Sequence, residues 1–184
     1  SMSQYMDALH ANPDADRFCE VIATHGYASD GIGSGTPNFT AWTNMYNQAQ
    51  EGLGPKELWM TETHRGYDDY DDAMWIAMAI YGAMEYGNIS LWTQWGITGQ
   101  HIIDGQPTQM LYALANYTRF IKPGAVRVRS VSSHPDLFTT AWVDEAEGRV
   151  ATVAINDSDA PISAYLAGEG MPGNYEMYLT TSIR

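Results

Sequence analysis

The sequence predicts an α/β fold followed by an all-β portion. Three short and nearly continuous apolar runs each precede a segment with apolar residues at helical spacing. That order is typical of a parallel sheet whose strands are buried on both faces and joined by helices. After Pro123 the helical patterns stop, and short runs with partial period-two alternation are separated by turn residues. The sequence therefore predicts three β/α units and then an antiparallel sheet.

Each β/α unit has its own strand, helix and end signals. The strands are expected at residues 18–24, 57–62 and 88–95. The helices are expected at residues 40–50, 73–86 and 108–121, with the end of another helix at 3–9. Acidic residues at 68–72 precede the second helix, where they favour the positive end of its dipole, and Pro123 and Gly124 follow the third.

The last sixty residues carry the β pattern. Strands are expected at 126–132, 137–143, 149–156, 162–166 and 175–181. Their separators contain Asn, Asp, Gly and Pro in turn-forming order, which favours an antiparallel sheet or half of a sandwich. We therefore expect a β/α domain over 1–122 and a β-sandwich portion over 123–184.

Composition and charge exclude several classes of protein. The chain has 184 residues, of which 45% are hydrophobic and 12% aromatic, so it is not a disordered chain. Its formal charge of -13 repels phosphate and anionic membrane surfaces, so neither a nucleic acid nor a membrane is expected as a partner. No apolar run approaches the roughly 20 residues of a membrane span, and no signal peptide is expected from the first residues. Cys19 is the single cysteine, which rules out an intramolecular disulfide.

Polar and aromatic residues follow the three predicted parallel strands. Because the carboxyl ends of such strands meet at one edge, these residues form the candidate site: His25, Tyr27, Glu62, His64, Trp92, Gln94 and Trp95. A carboxylate among aromatic rings and histidines suits carbohydrate chemistry, since rings stack on sugars and a glutamate attacks an oxocarbenium-like centre. Taken singly, Glu62 also fits a solvated strand end, His25 a structural histidine, and the two tryptophans ordinary core. Only their joint placement favours a functional site.

No metal or cofactor is expected. His25, His64 and His101 lie in three different strand-end loops without a metal-ligand spacing such as HExxH. The acidic run at 67–72 lacks the glycine and the terminal glutamate of a calcium loop. Neither GxGxxG nor a P-loop is present, so nucleotide cofactors are not indicated.

Several motifs, in this order, resemble the retaining glycoside hydrolases of family 30. The matching segments are HGY at 25–27, LWMTETH at 58–64, ISLWTQW at 89–95, YALANYTRFIKPGAVRV at 112–128 and NYEMYLTTS at 174–182. The segment at 112–128 is the most specific of them. The resemblance spans residues 18–182. It implies a partial (β/α)8 TIM barrel, matching strands six to eight, that is followed by part of an antiparallel β-sandwich.

The same resemblance implies roles for particular residues. Glu62 matches the catalytic nucleophile at the end of barrel strand seven, and His25, Tyr27, Trp92 and Trp95 match the lining of the sugar subsite. The family's acid/base glutamate follows an asparagine, and this sequence contains no Asn-Glu pair. The chain is therefore similar to the C-terminal part of such an enzyme, without strands one to five. Four aspartates in predicted strand-end loops are candidate substitute acids: Asp30, Asp68, Asp69 and Asp104.

Three functions follow from these expectations. The first is a truncated retaining glycoside hydrolase that acts on a β-linked glucan, xylan or β-glucoside with Glu62 as nucleophile. The alternative is a non-catalytic carbohydrate-binding fragment, and the third is an inert fragment. The expected partners are a β-linked oligo- or polysaccharide and further copies of the chain, because three barrel strands leave two unpaired edges and an open apolar face. The resemblance is compatible with a secreted parent enzyme and leaves the compartment open.

Overall fold

The computed structural model describes residues 2–30, 32, 38–65 and 69–182. Helices α1 (Met2–His10) and α2 (Pro13–Phe18) come first. The β/α units follow as β1 (Val21–His25), α3 (Phe39–Ala49), β2 (Glu57–Glu62), α4 (Tyr70–Gly87), β3 (Leu91–Trp92) and α5 (Gln109–Thr118), with a small hairpin of β4 (Ile102–Ile103) and β5 (Gln106–Pro107) before α5. Strands β6 (Val126–Val128), β7 (Leu137–Asp144) and β8 (Arg149–Asn156) are the last strands of the described residues.

The predicted parallel sheet is confirmed, with strand order β1-β2-β3 and parallel pairing throughout. Strand β2 has the predicted bounds, but the other two strands are shorter than predicted. The first begins at Val21, because α2 continues to Phe18, whose side chain is 82% exposed. Asn12 caps α2 and Pro13 opens it, a start signal that the strand prediction overlooked. The third strand is confined to 91–92, because Asn88 ends α4 in the left-handed region (φ 45) and Gly96 turns the chain again (φ 73).

One face of the parallel sheet packs against helices, and the other is not covered by any of the described helices. Ile22, Leu58 and Met60 lie on the helix side, in a core cluster with α3 residues such as Trp42. On the opposite face, Ala23, Trp59 and Leu91 pair in register across the three strands, and none of them is buried. Parallel sheets are ordinarily covered on both faces. The exposed row therefore marks an apolar surface that is suited to a further layer, and we call it the open face.

Helix α4 joins the two core clusters of the described residues. Twelve of its residues are buried, and Ala83 contributes to the cluster under the parallel sheet. Ile76 and Ile80 belong to the second cluster, which also contains Trp142, Val153 and Ile155 of the C-terminal sheet. The two sheets are consequently linked through one helix rather than by direct pairing.

The C-terminal sheet is antiparallel, with strand order β6-β7-β8. The strands predicted at 137–143 and 149–156 are confirmed, and the one predicted at 126–132 is shorter. The strands predicted at 162–166 and 175–181 are wrong, because the described residues after Asn156 form no strand. Period-two alternation shows which side chains share a face, but a strand also requires a partner for its backbone, and this segment pairs with none of the described strands. Tyr165 and Met177 are instead 91% and 85% exposed.

Three side-chain contacts fasten the irregular C-terminal segment to α5 and to the residues that follow this helix. The Tyr178 ring lies 4.7 Å from the Phe120 ring, centroid to centroid, and the Arg119 guanidinium lies 4.8 Å from the centroid of Tyr178. Asn116 Nδ2 donates to Thr180 Oγ1 at 3.0 Å. These contacts hold the segment through side chains, as a strap rather than as a sheet strand.

A buried ion pair ties the N-terminal helices to the parallel sheet. Asp16 is 1% exposed, and Lys56 Nζ lies 2.7 Å from its Oδ1. The same carboxylate accepts the backbone N–H of Leu53 and contacts His10 Nδ1 at 3.1 Å. These interactions, the Lys56 hydrogen bond first, lower the pKa of Asp16 from 3.8 to about 2. The ion pair therefore joins α2 to the residue that precedes β2.

We expect the buried ion pair to make stability depend on pH in the acid range. Its stabilisation is fully present above the ordinary pKa of 3.8 and is lost as the pH falls toward about 2, because there the unfolded chain binds a proton that folded Asp16 does not. Urea unfolding at a series of pH values should show this loss for the parent chain and a weaker one for Asp16→Asn. Asp14→Asn is the matched control, since the Asp14 side chain is 89% exposed. An equal pH dependence in all three proteins would contradict the expectation.

Candidate functional site

An irregularity in the sheet brings His25 beside Glu62. Thr24 pairs with Met60, but His25 pairs with Glu62, so that Thr61 has no partner in β1. Thr61 Oγ1 compensates by donating to the carbonyl of Thr24 at 3.2 Å. This bulge lies at the carboxyl ends of β1 and β2, where bulges commonly redirect side chains. As a result, two of the predicted site residues face each other across the strand ends.

Tyr27 holds the Glu62 carboxylate directly. Its hydroxyl donates to Glu62 Oε1 at 3.0 Å. Burial raises the pKa of Tyr27 to about 12, and the hydrogen bond to Glu62, the charge of Glu62 and the charge of Asp30 act in the same direction. The phenol consequently remains a donor throughout the neutral range. It fixes one carboxylate oxygen and leaves the second one available.

Two histidines flank this pair. His25 Nε2 lies 3.9 Å from Glu62 Oε2, which is longer than a hydrogen bond. The rings of His25 and His64 each meet the Tyr27 ring edge to face, at centroid distances of 5.8 and 5.6 Å. The Glu62 side chain is 28% exposed and that of His25 is 48% exposed. The structure thus brings together four of the seven predicted site residues around a carboxylate that solvent can reach.

Gly26 and Thr63 support the site from below. The Gly26 N–H donates to the Glu62 carbonyl at 2.8 Å, and the buried Thr63 hydroxyl donates to the Gly26 carbonyl at 3.3 Å. A Cβ at residue 26 would lie 2.9 Å from both Cβ and Oγ1 of Thr63. Sequence reasoning did not assign either residue a role. The one available signal was a glycine between the two ring residues His25 and Tyr27.

The remaining three predicted site residues lie at the end of β3 (Trp92) and just after it (Gln94 and Trp95), and have no direct contact with Glu62 among the described interactions. Trp92 packs against both core clusters, and its Nε1 donates to Gln94 Oε1 at 3.2 Å. Trp95 is 56% exposed, and its backbone N–H donates to the Thr63 carbonyl at 2.9 Å. Trp95 therefore presents its ring at the same edge as Glu62, whereas Trp92 has a place in the packing of the core.

The candidate substitute acids differ in their surroundings. Asp30 is half-buried, and its charge reaches Tyr27. Asp69 caps α4 by accepting the Asp72 N–H at 2.8 Å. Asp104 is exposed in the turn between β4 and β5, at φ 51. Asp68 lies outside the described residues. Of the three that are described, Asp30 is the one whose charge acts on a site residue, Tyr27.

The described part of the chain contains neither a cluster of metal ligands nor a membrane-spanning helix. No group of three or more His, Cys, Asp or Glu residues there could hold a metal ion. His101 is fully buried, burial lowers its pKa, and neither of its ring nitrogens has a hydrogen-bond partner among the residues that the structure describes. None of the helices described is both long and apolar enough to cross a membrane.

Comparison with known sequences confirms the resemblance to family 30 glycoside hydrolases. The chain is 25% identical over 187 aligned positions to the glucuronoxylanase XynC of Bacillus subtilis. The match covers 96% of this chain and 41% of that relative, so the chain spans about two fifths of its length. No family model matches the chain.

Comparison with solved structures shows the same fold. A family 30 endoxylanase from Clostridium papyrosolvens superimposes with a TM-score of 0.68 and 23% identity, over 82% of this chain and 37% of that one. A family 30 subfamily 8 xylanase from Clostridium acetobutylicum gives a TM-score of 0.66 and 22% identity, over 85% and 38% of the two chains. The chain therefore shares its fold with part of these enzymes.

We expect Gly26→Ala to destabilise the site and the fold together. The added Cβ meets Thr63, which is fully buried, so that β1 and β2 must separate at the strand ends. A loss of about 1 to 3 kcal/mol in the free energy of unfolding is expected from such overpacking. Gly173→Ala is the matched control, because no atom lies within 4 Å of its Cβ position. Equal unfolding midpoints for the two variants in urea would show that the close approach is dispensable.

Proposed function

We propose that this chain is part of a retaining glycoside hydrolase that acts on a β-linked polysaccharide, with Glu62 as the nucleophile. The observation that carries the proposal is the Glu62 carboxylate at the carboxyl end of a parallel strand, held through Oε1 by Tyr27 and half-open on the other side. The named relatives are xylanases, which favours xylan over glucans and β-glucosides as the substrate. Exposed Trp95 supplies a ring on which a sugar could stack.

The geometry suits attack by the second carboxylate oxygen. In the first step Glu62 Oε2 forms a bond to the anomeric carbon as the glycosidic bond breaks, and the leaving oxygen takes a proton from an acid. In the second step water displaces the carboxylate, and the configuration is retained. The Tyr27 hydroxyl stabilises the charged form of Glu62, so it aids departure of the carboxylate in the second step. His25 and His64 enclose the reacting group without holding Oε2.

A second carboxyl about 5 Å from the nucleophile is required for natural substrates. Among the described candidates, Asp30 is the one whose charge affects a residue of the site, because it helps to raise the pKa of Tyr27. A substrate with an activated leaving group needs no proton from an acid. Its reaction therefore measures the nucleophilic step at Glu62 separately from the acid.

A non-catalytic carbohydrate-binding fragment is the second candidate function. It is favoured by the surroundings of the carboxylates, because Asp69 is engaged in capping α4 and Asp104 is exposed in a hairpin turn. Such a fragment would keep Trp95 and the paired Tyr27 and Glu62 but would form no bond to sugar. The two functions therefore differ in covalent reactivity and not in affinity.

We further propose that copies of the chain associate through the open face. Ala23, Trp59 and Leu91 are aligned there, and both edges of the parallel sheet, β1 and β3, are unpaired among the described strands. Apolar patches and free strand edges of this kind promote association. In a homodimer or higher oligomer, partial barrels and partial sandwiches would cover one another.

We expect Glu62 to form a covalent sugar adduct. Incubation with a 2-deoxy-2-fluoro glycoside that carries an activated leaving group, in xylo and gluco forms, should add one sugar to the intact mass. Glu62→Gln should abolish the adduct, because the amide is a poor nucleophile. Tyr27→Phe should slow its formation by about tenfold to a hundredfold, since the nucleophile loses its positioning contact.

Glu145→Gln is the control for this experiment, because Glu145 is exposed in the turn between β7 and β8. An adduct that survives Glu62→Gln would remove Glu62 from the mechanism. The absence of an adduct with either sugar would favour the binding fragment.

Sedimentation velocity should detect association of the parent chain. We expect a mass that is a multiple of 20.4 kDa and that shifts toward the monomer in Ala23→Lys, because the lysine places a charge on the open face. Ala11→Lys is the control, since Ala11 is an exposed residue at the end of α1, away from the sheet. A parent chain that remains a stable monomer would contradict the proposed association.

A further inference from the structure

A cleft opens at the start of β2, at the other end of the strand from Glu62. Its volume is about 340 Å³, near the lower limit of small-molecule sites. Five intervening strand steps separate Glu57 from Glu62, or about 17 Å. The cleft lies between the end of α3, the start of β2 and the turn from α4 to β3, and its lining includes Tyr46, Gln50, Lys56, Glu57, Asn88 and Ser90.

Glu57 is held in place by two donors. Ser90 Oγ donates to Glu57 Oε2 at 2.7 Å, and Trp59 Nε1 lies 3.3 Å from the same oxygen and 3.0 Å from Ser90 Oγ. The Ser90 bond and then the Trp59 bond lower the pKa of Glu57. The carboxylate is thereby kept ionised and oriented, with Oε1 left to accept further hydrogen bonds at the cleft.

Other polar groups of the cleft are uncommitted. Within the described residues, neither the Tyr46 hydroxyl nor the Gln50 amide forms a hydrogen bond, and the Asn88 side chain uses only Oδ1, which accepts from Arg127 at 3.4 Å. A phenol, two amides and an oriented carboxylate offer both donors and acceptors. Pro55 and Leu58 add apolar surface beside them.

The charges of the cleft exclude an anionic ligand. Lys56 is 5% exposed, and its ammonium group already contacts the Asp16 carboxylate at 2.7 Å, the Asp16 carbonyl at 3.3 Å and the Gly54 carbonyl at 3.4 Å. Its three protons are therefore used inside the protein. The charge of Glu57 therefore makes the electrostatic potential in the cleft negative, in a chain whose formal charge is -13. A neutral ligand with several hydroxyl groups matches the amides, the phenol and the carboxylate best.

We propose that this cleft is a second carbohydrate-binding site, which takes one or two units of a neutral β-linked oligosaccharide. The choice of a sugar among neutral polyhydroxylated ligands rests on the proposed function. Glu57 and Gln50 accept and donate to sugar hydroxyls, and Tyr46 contributes its hydroxyl and its ring. The site holds a polysaccharide at a distance from Glu62, so it would anchor the chain on its substrate without taking part in bond cleavage.

Binding of β-1,4-xylotriose, followed by amide chemical shifts in ¹⁵N-labelled protein, tests the proposal. We expect saturable shifts at residues of the cleft, and a Kd that rises about tenfold in Gln50→Ala and in Glu57→Ala as each removes a hydrogen bond. Gln50 is exposed, so its variant should fold normally. Glu51→Gln, at the neighbouring exposed position, is the control and should bind as the parent does.

The possible outcomes separate this proposal from the proposed function. Saturable shifts at the cleft without any covalent adduct at Glu62 would support the second site and count against the hydrolase. No saturable shift, an unchanged Kd in both cleft variants, or shifts confined to Tyr27 and Glu62 would overturn the second site. Binding of spermidine in place of xylotriose would also overturn it, because the carboxylate would then be acting as a cation site.

Discussion

The parallel pairing of β1 with β2 is the interaction on which the candidate site depends. Regular pairing from Val21 to Thr24 places Ile22 and Leu58 on the helix side, and the bulge after Thr24 brings His25 into register with Glu62. Gly26 and Thr63 then continue the contact beyond the strands, at an approach too close for any side chain at residue 26. A shift of one residue would move every side chain to the opposite face. The carboxylate is consequently positioned by the backbone ladder and not by a flexible loop.

The sequence predicted the parallel strands well, because apolar runs and the glycines that follow them are local signals. It predicted β2 with its bounds and placed β1 within three residues. It failed for 162–166 and 175–181, because alternation of side chains does not show which backbone they pair with. The ion pair of Asp16 with Lys56 could not be predicted from the sequence either, since its members are 40 residues apart and no local pattern relates them. The contact of Tyr27 with Glu62 depends on the bulge after Thr24, which no pattern of residue types predicted.

Strand β2 carries a glutamate at each end, and the structure treats the two differently. Glu62 accepts a hydrogen bond from the Tyr27 hydroxyl and lies near the His25 ring, while Glu57 accepts hydrogen bonds from the Ser90 hydroxyl and the Trp59 indole N–H. Most buried or half-buried cations are occupied elsewhere, as Lys56 is by Asp16 and Arg127 by Glu85. The acidic excess of the chain is therefore left on its surface. Both glutamates are consequently held by hydrogen bonds from uncharged donors, an arrangement that suits uncharged ligands.

Helix α4 contributes residues to both core clusters, and this restricts which substitutions the helix can accept. Ile76 and Ile80 pack toward the C-terminal sheet, and Ala83 packs toward the parallel one. Gly82 and Gly87 admit Phe39 and Trp42 of α3 so closely that neither tolerates a methyl group. Substitutions on this helix must satisfy two neighbours at once. In a chimera that takes only the residues after Pro123 from a relative, the new C-terminal sheet would pack against an α4 surface that does not match it. A successful exchange would therefore have to include α4 as well.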